Sequence, residues 1–279
     1  MMNSDISIIY YSDNSLDDKI SRLCIDHLIV ASRCTPIISV THKPIKLGTN
    51  ICVGEIGRSH LSMYSQILAG VEAAQTKYVS LVEHDCLYSP EHFNWQPPQD
   101  DVFYYNLNVW FVKWSTGEYF YKRRRVLSQL ICSREICLKA IQDKVWLLKH
   151  GYMIRKGVAG ACEPGCLSDK EAFVEAAYCE ADWLKTHDIK DIKTEPPQLQ
   201  AVTQEPGVCD ERGVYRSVLG QFKDLGKEIG VWKADTFRTE LPNIDIRHTT
   251  NFSKSRRPKD VVYELPYWGS FKELRDKGE

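Results

Sequence analysis

Tyr78-Val79-Ser80-Leu81-Val82-Glu83-His84-Asp85 is the stretch that decides the fold of this chain. Five residues dominated by β-branched and aromatic side chains run directly into three polar ones. The apolar run is too short for a helix and reads as a buried strand with an acidic end. Upstream, Ser59 to Gln75 reads as a helix: Leu61, Tyr64, Leu68, Val71 and Ala74 keep one face apolar, and Ser59 can cap it. Before that come a strand at Pro36 to Thr41, a helix at Asp17 to Ala31 with Ile20, Leu23, Cys24, His27 and Leu28 in helical spacing, and a strand at Ile6 to Tyr11 that ends in the turn cluster Ser12-Asp13-Asn14. Strand and helix alternate over the first hundred residues. The expected class is therefore α/β, a mostly parallel sheet flanked by helices on both faces.

In such sheets ligands bind beyond the carboxyl ends of the strands. Two carboxylates at i and i+2 leave a strand on the same side. Glu83 and Asp85 can thus share a hard divalent cation, which in turn neutralises a diphosphate. The alternative use of the triplet is an acidic turn that caps the next helix. The stretch Gly54-Glu55-Ile56-Gly57-Arg58-Ser59 opens the second helix, and its free N–H groups suit a phosphate or a sugar hydroxyl. Arg58 would add a charge contact there; otherwise it is a surface arginine in an ordinary loop.

The rest of the chain is less regular. Val102 to Val112 is β-prone and aromatic. Val126 to Leu148 reads as a helix, and Ser168 to His187 as another, with Ser168 and Glu171 spaced as a capping box. Pro196-Pro197, Pro206-Gly207 and Gly213 mark loops. No linker forces a split, so one domain over residues 1–279 is expected, with a regular half at 1–115 and an irregular half at 116–279.

The chain of 279 residues carries 36 basic and 37 acidic side chains, a net charge of -1, which excludes a globally basic nucleic-acid binder. Charge is nonetheless uneven. Residues 101–150 hold 9 basic and 4 acidic residues, and Lys122-Arg123-Arg124-Arg125 is the densest run among them. This cluster follows Tyr119-Phe120-Tyr121, and aromatics beside arginines make a nucleic-acid platform in which Arg123, Arg124 and Arg125 would contact an acceptor's phosphates. A solvated surface patch is the plainer reading. No apolar run approaches the roughly 20 residues of a membrane span, and Met1 to Asp5 has no basic leader segment. The ten cysteines are scattered without a CxxC pair. Free thiols in a reducing, cytoplasmic setting are expected; Cys162 and Cys166 lack the second pair a structural zinc site needs.

Over about residues 5 to 95 the chain resembles the GT-A nucleotide-sugar glycosyltransferases: a first strand with a polar loop, a glycine-containing segment, a helix such as Ser62 to Ala74, and the strand ending Glu83-His84-Asp85. In that family the equivalent strand ends in a DxD-type motif that binds Mn or Mg and the donor diphosphate. The resemblance implies that Asp85 is the motif's last acid, that Glu83 replaces its first and that His84 takes the variable middle position. It further implies that Tyr11 stacks on the nucleobase and Asp13 accepts from a hydroxyl or ring N–H. A C-terminal histidine returning to the metal would be His248, from the segment where Asp245, Arg247 and His248 crowd together. Arg256 and Arg257 would clamp the diphosphate. For the catalytic base, Asp182 and Glu180 are the candidates, with Glu163 as a loop alternative.

The implied function is a metal-dependent glycosyltransferase taking a nucleoside-diphosphate sugar. Its acceptor hydroxyl would lie on a glycan or a hydroxymethylated base in phage-type DNA, the latter in an infected host's cytoplasm. Two rivals stand beside it. A sugar-phosphate nucleotidyltransferase uses a similar sheet but opens with a glycine-rich phosphate loop, and residues 11–18 contain no glycine. A non-catalytic DNA- or glycan-binding module would rely on the basic, aromatic segment alone.

Overall fold

The computed structural model describes residues 5–121, 123–150, 152–154, 160–168, 172–175, 230–249 and 260–276. Strand β1 (Ile6–Ser12) leads through helix α1 (Asp18–Ser32) to β2 (Ile37–Thr41) and β3 (Thr49–Cys52); helix α2 (His60–Ala73) then returns the chain to β4 (Tyr78–Glu83). Asp17 caps α1 by accepting from the backbone N–H groups of Lys19 and Ile20. Ser59 caps α2 in a reciprocal box with Ser62. After β5 (Cys86–Leu87) and the short α3 (Pro90–Asn94) come β6 (Val102–Asn106), β7 (Val109–Lys113), β8 (Tyr119–Tyr121), β9 (Leu130–Ser133) and α4 (Arg134–Lys149). The described remainder is β10 (Tyr152–Ile154), β11 (Phe173–Glu175), β12 (Lys233–Phe237), β13 (Asn243–Arg247), β14 (Glu264–Leu265), β15 (Gly269–Ser270) and a terminal helix α5 (Phe271–Asp276).

The central sheet has seven strands in the order β12-β6-β9-β4-β1-β2-β3. All neighbours run parallel except β9, which is antiparallel to both β4 and β6. The period-2 alternation of β1 explains how both faces are filled. Ile9 and Tyr11 face a core built with α2 and α4, alongside Val40, Tyr64, Ile67, Leu81 and Ile141. Ile8 and Tyr10 face the other side, with Leu28 and Ala31 of α1 and Tyr88 and Phe93. The result is a mixed α/β architecture with a mostly parallel sheet flanked by helices, the class expected from the alternation of residues 6–83.

A second sheet, ordered β5-β13-β7-β8, sits at the carboxyl edge of the first. Strand β13 pairs antiparallel with β5 and parallel with β7. Its Ile244 and Ile246 are fully buried against Leu87, Val112 and Tyr119, with Ile20 and Leu23 of α1 and Trp268 and Leu274 completing the cluster. Asn243 fastens it: Oδ1 accepts from Ser89 N at 2.8 Å and Nδ2 donates to Gln129 Oε1 at 2.7 Å.

Two expected helices differ. Val126 to Leu148 is a single 3-10 turn at Leu127–Gln129, then strand β9, and only then a helix from Arg134. Parallel strands β4 and β6 leave a slot between them, and Leu130 to Ser133 closes their ladders on both sides, with Ile131 opposite Ser80 and Tyr104. Those inter-strand bonds outweigh a helical spacing that the residues also satisfy. In the region expected as a helix from Ser168, Phe173–Glu175 is a strand paired antiparallel with β10; residues 176–187 lie outside the described residues. No helix among the described residues is long and apolar enough to cross a membrane.

Candidate active site

The ends of β1 and β4 stand side by side, with Tyr11 opposite Glu83 in the register. The Tyr11 hydroxyl donates to Glu83 Oε1 at 2.9 Å, and the Ser12 hydroxyl meets His84 Nδ1 at 2.7 Å. Past this edge the chain turns, and the Asp85 carbonyl accepts from Ile246 N at 2.8 Å. That bond draws the end of β13 over the triplet. His248 Nε2 then lies 3.3 Å from Asp85 Oδ2. One ligand atom from each of His84, Asp85 and His248 lies within 4.8 Å of the other two, and Glu83, Asp85 and Cys86 form a second such group. Asp245, opposite Cys86 on β13, pairs through Oδ2 with Arg247 Nη2 at 3.2 Å. The Arg247 guanidinium lies 4.4 Å and that of Arg124 5.3 Å from the centre of the Phe111 ring.

Three carboxyl groups are enclosed together, and they do not share the negative charge equally. Burial, then the charges of Asp85 and Asp245, push Glu83 up to about 8 despite the Tyr11 hydrogen bond. Burial likewise raises Asp245 to about 7, against the pull of Arg247. Burial also acts to raise Asp85, but the hydrogen bond from His248, the neighbouring imidazoles of His84 and His248 and the charge of Arg247 outdo it and hold Asp85 at about 2. Asp85 is thus the carboxylate that stays ionised. His84 is lowered, chiefly by burial, which keeps the imidazole neutral and able to ligate.

The donor set suits a divalent cation. It combines one ionised carboxylate, a neutral imidazole and a second imidazole already at ligand spacing. A further acceptor, Asp245 Oδ1, is buried beside them with no hydrogen-bond partner among the described residues. Asp85, His248 and His84 are the residues able to hold such an ion, with Glu83 one step behind on the Tyr11 side.

The loop after β1 is tied to the loop before α2. Asp13 pairs with Arg58 through Oδ2 and Nε, while its Oδ1 accepts from Ser15 N at 3.0 Å and Ser15 Oγ at 2.7 Å. Burial would raise Asp13, but His84, Ser15 and Arg58 together lower it. Tyr11 departs from the stacking role expected of it: its ring is 5 % exposed and belongs to the core under α2, because the alternation of β1 turns residue 11 to the same side as Ile9. Its hydroxyl orients Glu83 instead.

The arginine cluster does not form one basic face. Arg123 is exposed, whereas Arg124 and Arg125 are half-buried. Arg124 turns inward over Phe111, where burial and Arg247 lower its pKa. Arg125 Nη1 reaches Cys166 Sγ at 3.8 Å. Glu163, pushed up by burial and pulled down by Arg124, sits in a loop anchored by Tyr105 Oη donating to Pro164 O at 2.8 Å. Glu180, Asp182, Arg256 and Arg257 lie outside the described residues. Asp245 and Arg247 are the site residues left without a role by the sequence, and Arg124, expected at an acceptor's phosphates, instead turns toward them. Asp245 and Arg247 share a spacing of two on a short β-prone run, which puts both on one side of β13, and that was the available signal.

No family model and no curated protein matches the chain. Among solved structures, it overlaps with a glycosyltransferase involved in the glycosylation of the major capsid of PBCV-1, at 10% identity and a TM-score of 0.33, over 51% of this chain and 65% of that one. It also overlaps with the bifunctional IspDF from Campylobacter jejuni, at 10% identity and a TM-score of 0.30, over 49% of this chain and 42% of that one. The chain therefore spans less than two thirds of either protein's length. The fold is read from its own strand order.

Proposed function

We propose that the chain is a metal-assisted glycosyltransferase, moving a sugar from a nucleoside-diphosphate donor to a hydroxyl acceptor. The observation that carries this reading is the meeting of Asp85 and His248 at the carboxyl edge of a mostly parallel sheet, the edge where such sheets bind ligands. A bound Mn or Mg ion would offset the charge of the departing diphosphate. Asp85 and His248 would hold it, with Glu83 kept in reserve by Tyr11. Asp13, braced by Arg58, is the group at the mouth of β1 suited to a ribose hydroxyl or a base N–H. Arg124 and Arg247, side by side on Phe111, bring positive charge next to the acids and suit phosphate oxygens; Arg256 and Arg257 are further candidates for that part. Asp182, Glu180 and Glu163 remain the candidates for the base that takes the acceptor's proton.

Of the three arginines proposed to meet DNA, only Arg123 is exposed, so a hydroxymethylated base in DNA has weaker support than a hydroxyl acceptor in general. Calorimetric titration of UDP with and without Mn tests the core of the reading. Mn should tighten UDP binding, and Asp85→Ala should remove that gain; UDP affinity indifferent to both overturns it. A mass-resolved screen of sugar nucleotides, run with and without added pyrophosphate, separates the rivals: a glycosyltransferase releases nucleoside diphosphate, a sugar-phosphate nucleotidyltransferase running in reverse yields nucleoside triphosphate and sugar phosphate only when pyrophosphate is supplied, and a binding module yields neither.

A further inference from the structure

We infer that His84, the middle residue of the acidic triplet, is itself an ion ligand, so that His84, Asp85 and His248 form a site of two nitrogens and one carboxylate that favours Co2+ and Mn2+ over Mg2+. The inference rests on the metal-assisted reading of this site and goes beyond it in naming the ligand set.

Three observations carry it. The ligand atoms of these residues lie within 4.8 Å of one another, and the side chains of Asp85 and His248 are only 8 % and 7 % exposed, so an ion among them is shielded from bulk water. The 3.3 Å between His248 Nε2 and Asp85 Oδ2 is itself a ligand spacing. Two donors each about 2.1 Å from one ion stand about 3.0 Å apart at a right angle and about 3.4 Å at a tetrahedral one. The third observation concerns His84. Its Nδ1 is engaged by the Ser12 hydroxyl at 2.7 Å, the orienting bond that ligating histidines characteristically make with the ring nitrogen not facing the metal. Nε2 is then the nitrogen left for an ion.

The triplet's other side chain works against an all-oxygen site. Glu83 gives Oε1 to Tyr11 and belongs to a different group, with Asp85 and the buried Cys86. Two imidazoles in place of two carboxylates change which ion is preferred. Mg2+ demands oxygen donors and sheds water reluctantly, whereas imidazole affinity rises from Mn2+ to Co2+ and beyond.

The test uses the full chain, stripped with a chelator and titrated separately with Mn2+, Co2+ and Mg2+ without nucleotide. Pulsed electron paramagnetic resonance of the Mn2+ form then counts coupled nitrogens. The expected result is Co2+ tighter than Mn2+ and Mn2+ tighter than Mg2+, with two coupled nitrogens in the unaltered protein and one in either His84→Ala or His248→Ala. His84→Ala should weaken Mn2+ by about 10- to 100-fold or more, with an unchanged circular dichroism spectrum. Fewer than two nitrogens in the unaltered protein overturns the inference without recourse to any variant. If Asp85→Ala abolishes Mn2+ binding and His84→Ala leaves both affinity and nitrogen count unchanged, the inference fails and the proposed function survives. If no ion binds with or without UDP, both fail.

Discussion

The hydroxyl of Tyr11 donates to Oε1 of Glu83 at 2.9 Å, at the register position where the ends of β1 and β4 lie side by side. The alternation of β1 turns this aromatic residue into the core, and the bond gives its buried hydroxyl a partner there. Tyr11→Phe keeps the ring and removes the donor, leaving Glu83 enclosed without it. The expected cost is about 1–3 kcal/mol. It should appear as a lower urea midpoint with an unchanged slope, and an unchanged midpoint counts against the bond.

Asp85 is the acid that keeps its charge, at about 2. Asp85→Asn preserves the shape and removes that charge. UDP affinity without Mn should be nearly unaffected, whereas the gain on adding Mn should fall at least about tenfold, the scale on which metal sites lose affinity when a supporting group is removed. Equal Mn enhancement in both proteins would refute the role.

Helix α2 rests on the sheet through Gly70. A Cβ there would lie 2.5 Å from Ile9 Cγ2 and 3.2 Å from Val40 Cγ2. Gly70→Ala gains up to about 1 kcal/mol in helix propensity but must push the helix off two fully buried residues, at a cost of about 1–3 kcal/mol. The net expectation is a loss of stability in chemical denaturation. A stabilised variant would show that α2 yields at this point.

His92 is fully buried among Tyr88, Phe93 and Phe237, and burial pushes it down to about 3. Its folded value lies below its unfolded value, so the unfolded chain takes up the proton first. The stability associated with neutral His92 is complete above about pH 6.5 and is lost as pH falls toward 3, at about 1.4 kcal/mol per unit. Between pH 7 and pH 5 that amounts to about 2 kcal/mol. Urea midpoints of the unaltered protein and of His92→Gln, measured at both values, should diverge in slope against pH by this amount. Parallel slopes would sink the assignment.

The parallel half of the fold was legible because its information is local. The run of β-formers at residues 6–11 and the helical spacing at 61–74 each specify one element, and each was found within one or two residues of where it was expected. Strand β9 was not legible. Leu127, Leu130 and Ile131 fit a helical face, and what decides against the helix is a slot between β4 and β6 that no window of sequence contains. The site divides in the same way. Glu83 and Asp85 stand out because a strand points at them. That Arg124 folds inward to the same Phe111 ring that Arg247 approaches is a relationship among three separate segments.

The wedging of β13 between β5 and β7 has a consequence for how the protein is made. Its partners are completed at Lys113, whereas β13 begins only at Asn243. A nascent chain emerging from the ribosome possesses β1 to β4, and with them Glu83 to Asp85, long before it possesses His248. Pairing across so wide a separation is slow to close. The candidate site is therefore incomplete until the segment from Asn243 to His248 has been made, and a chain interrupted upstream of Asn243 has the acidic triplet without its histidine partner.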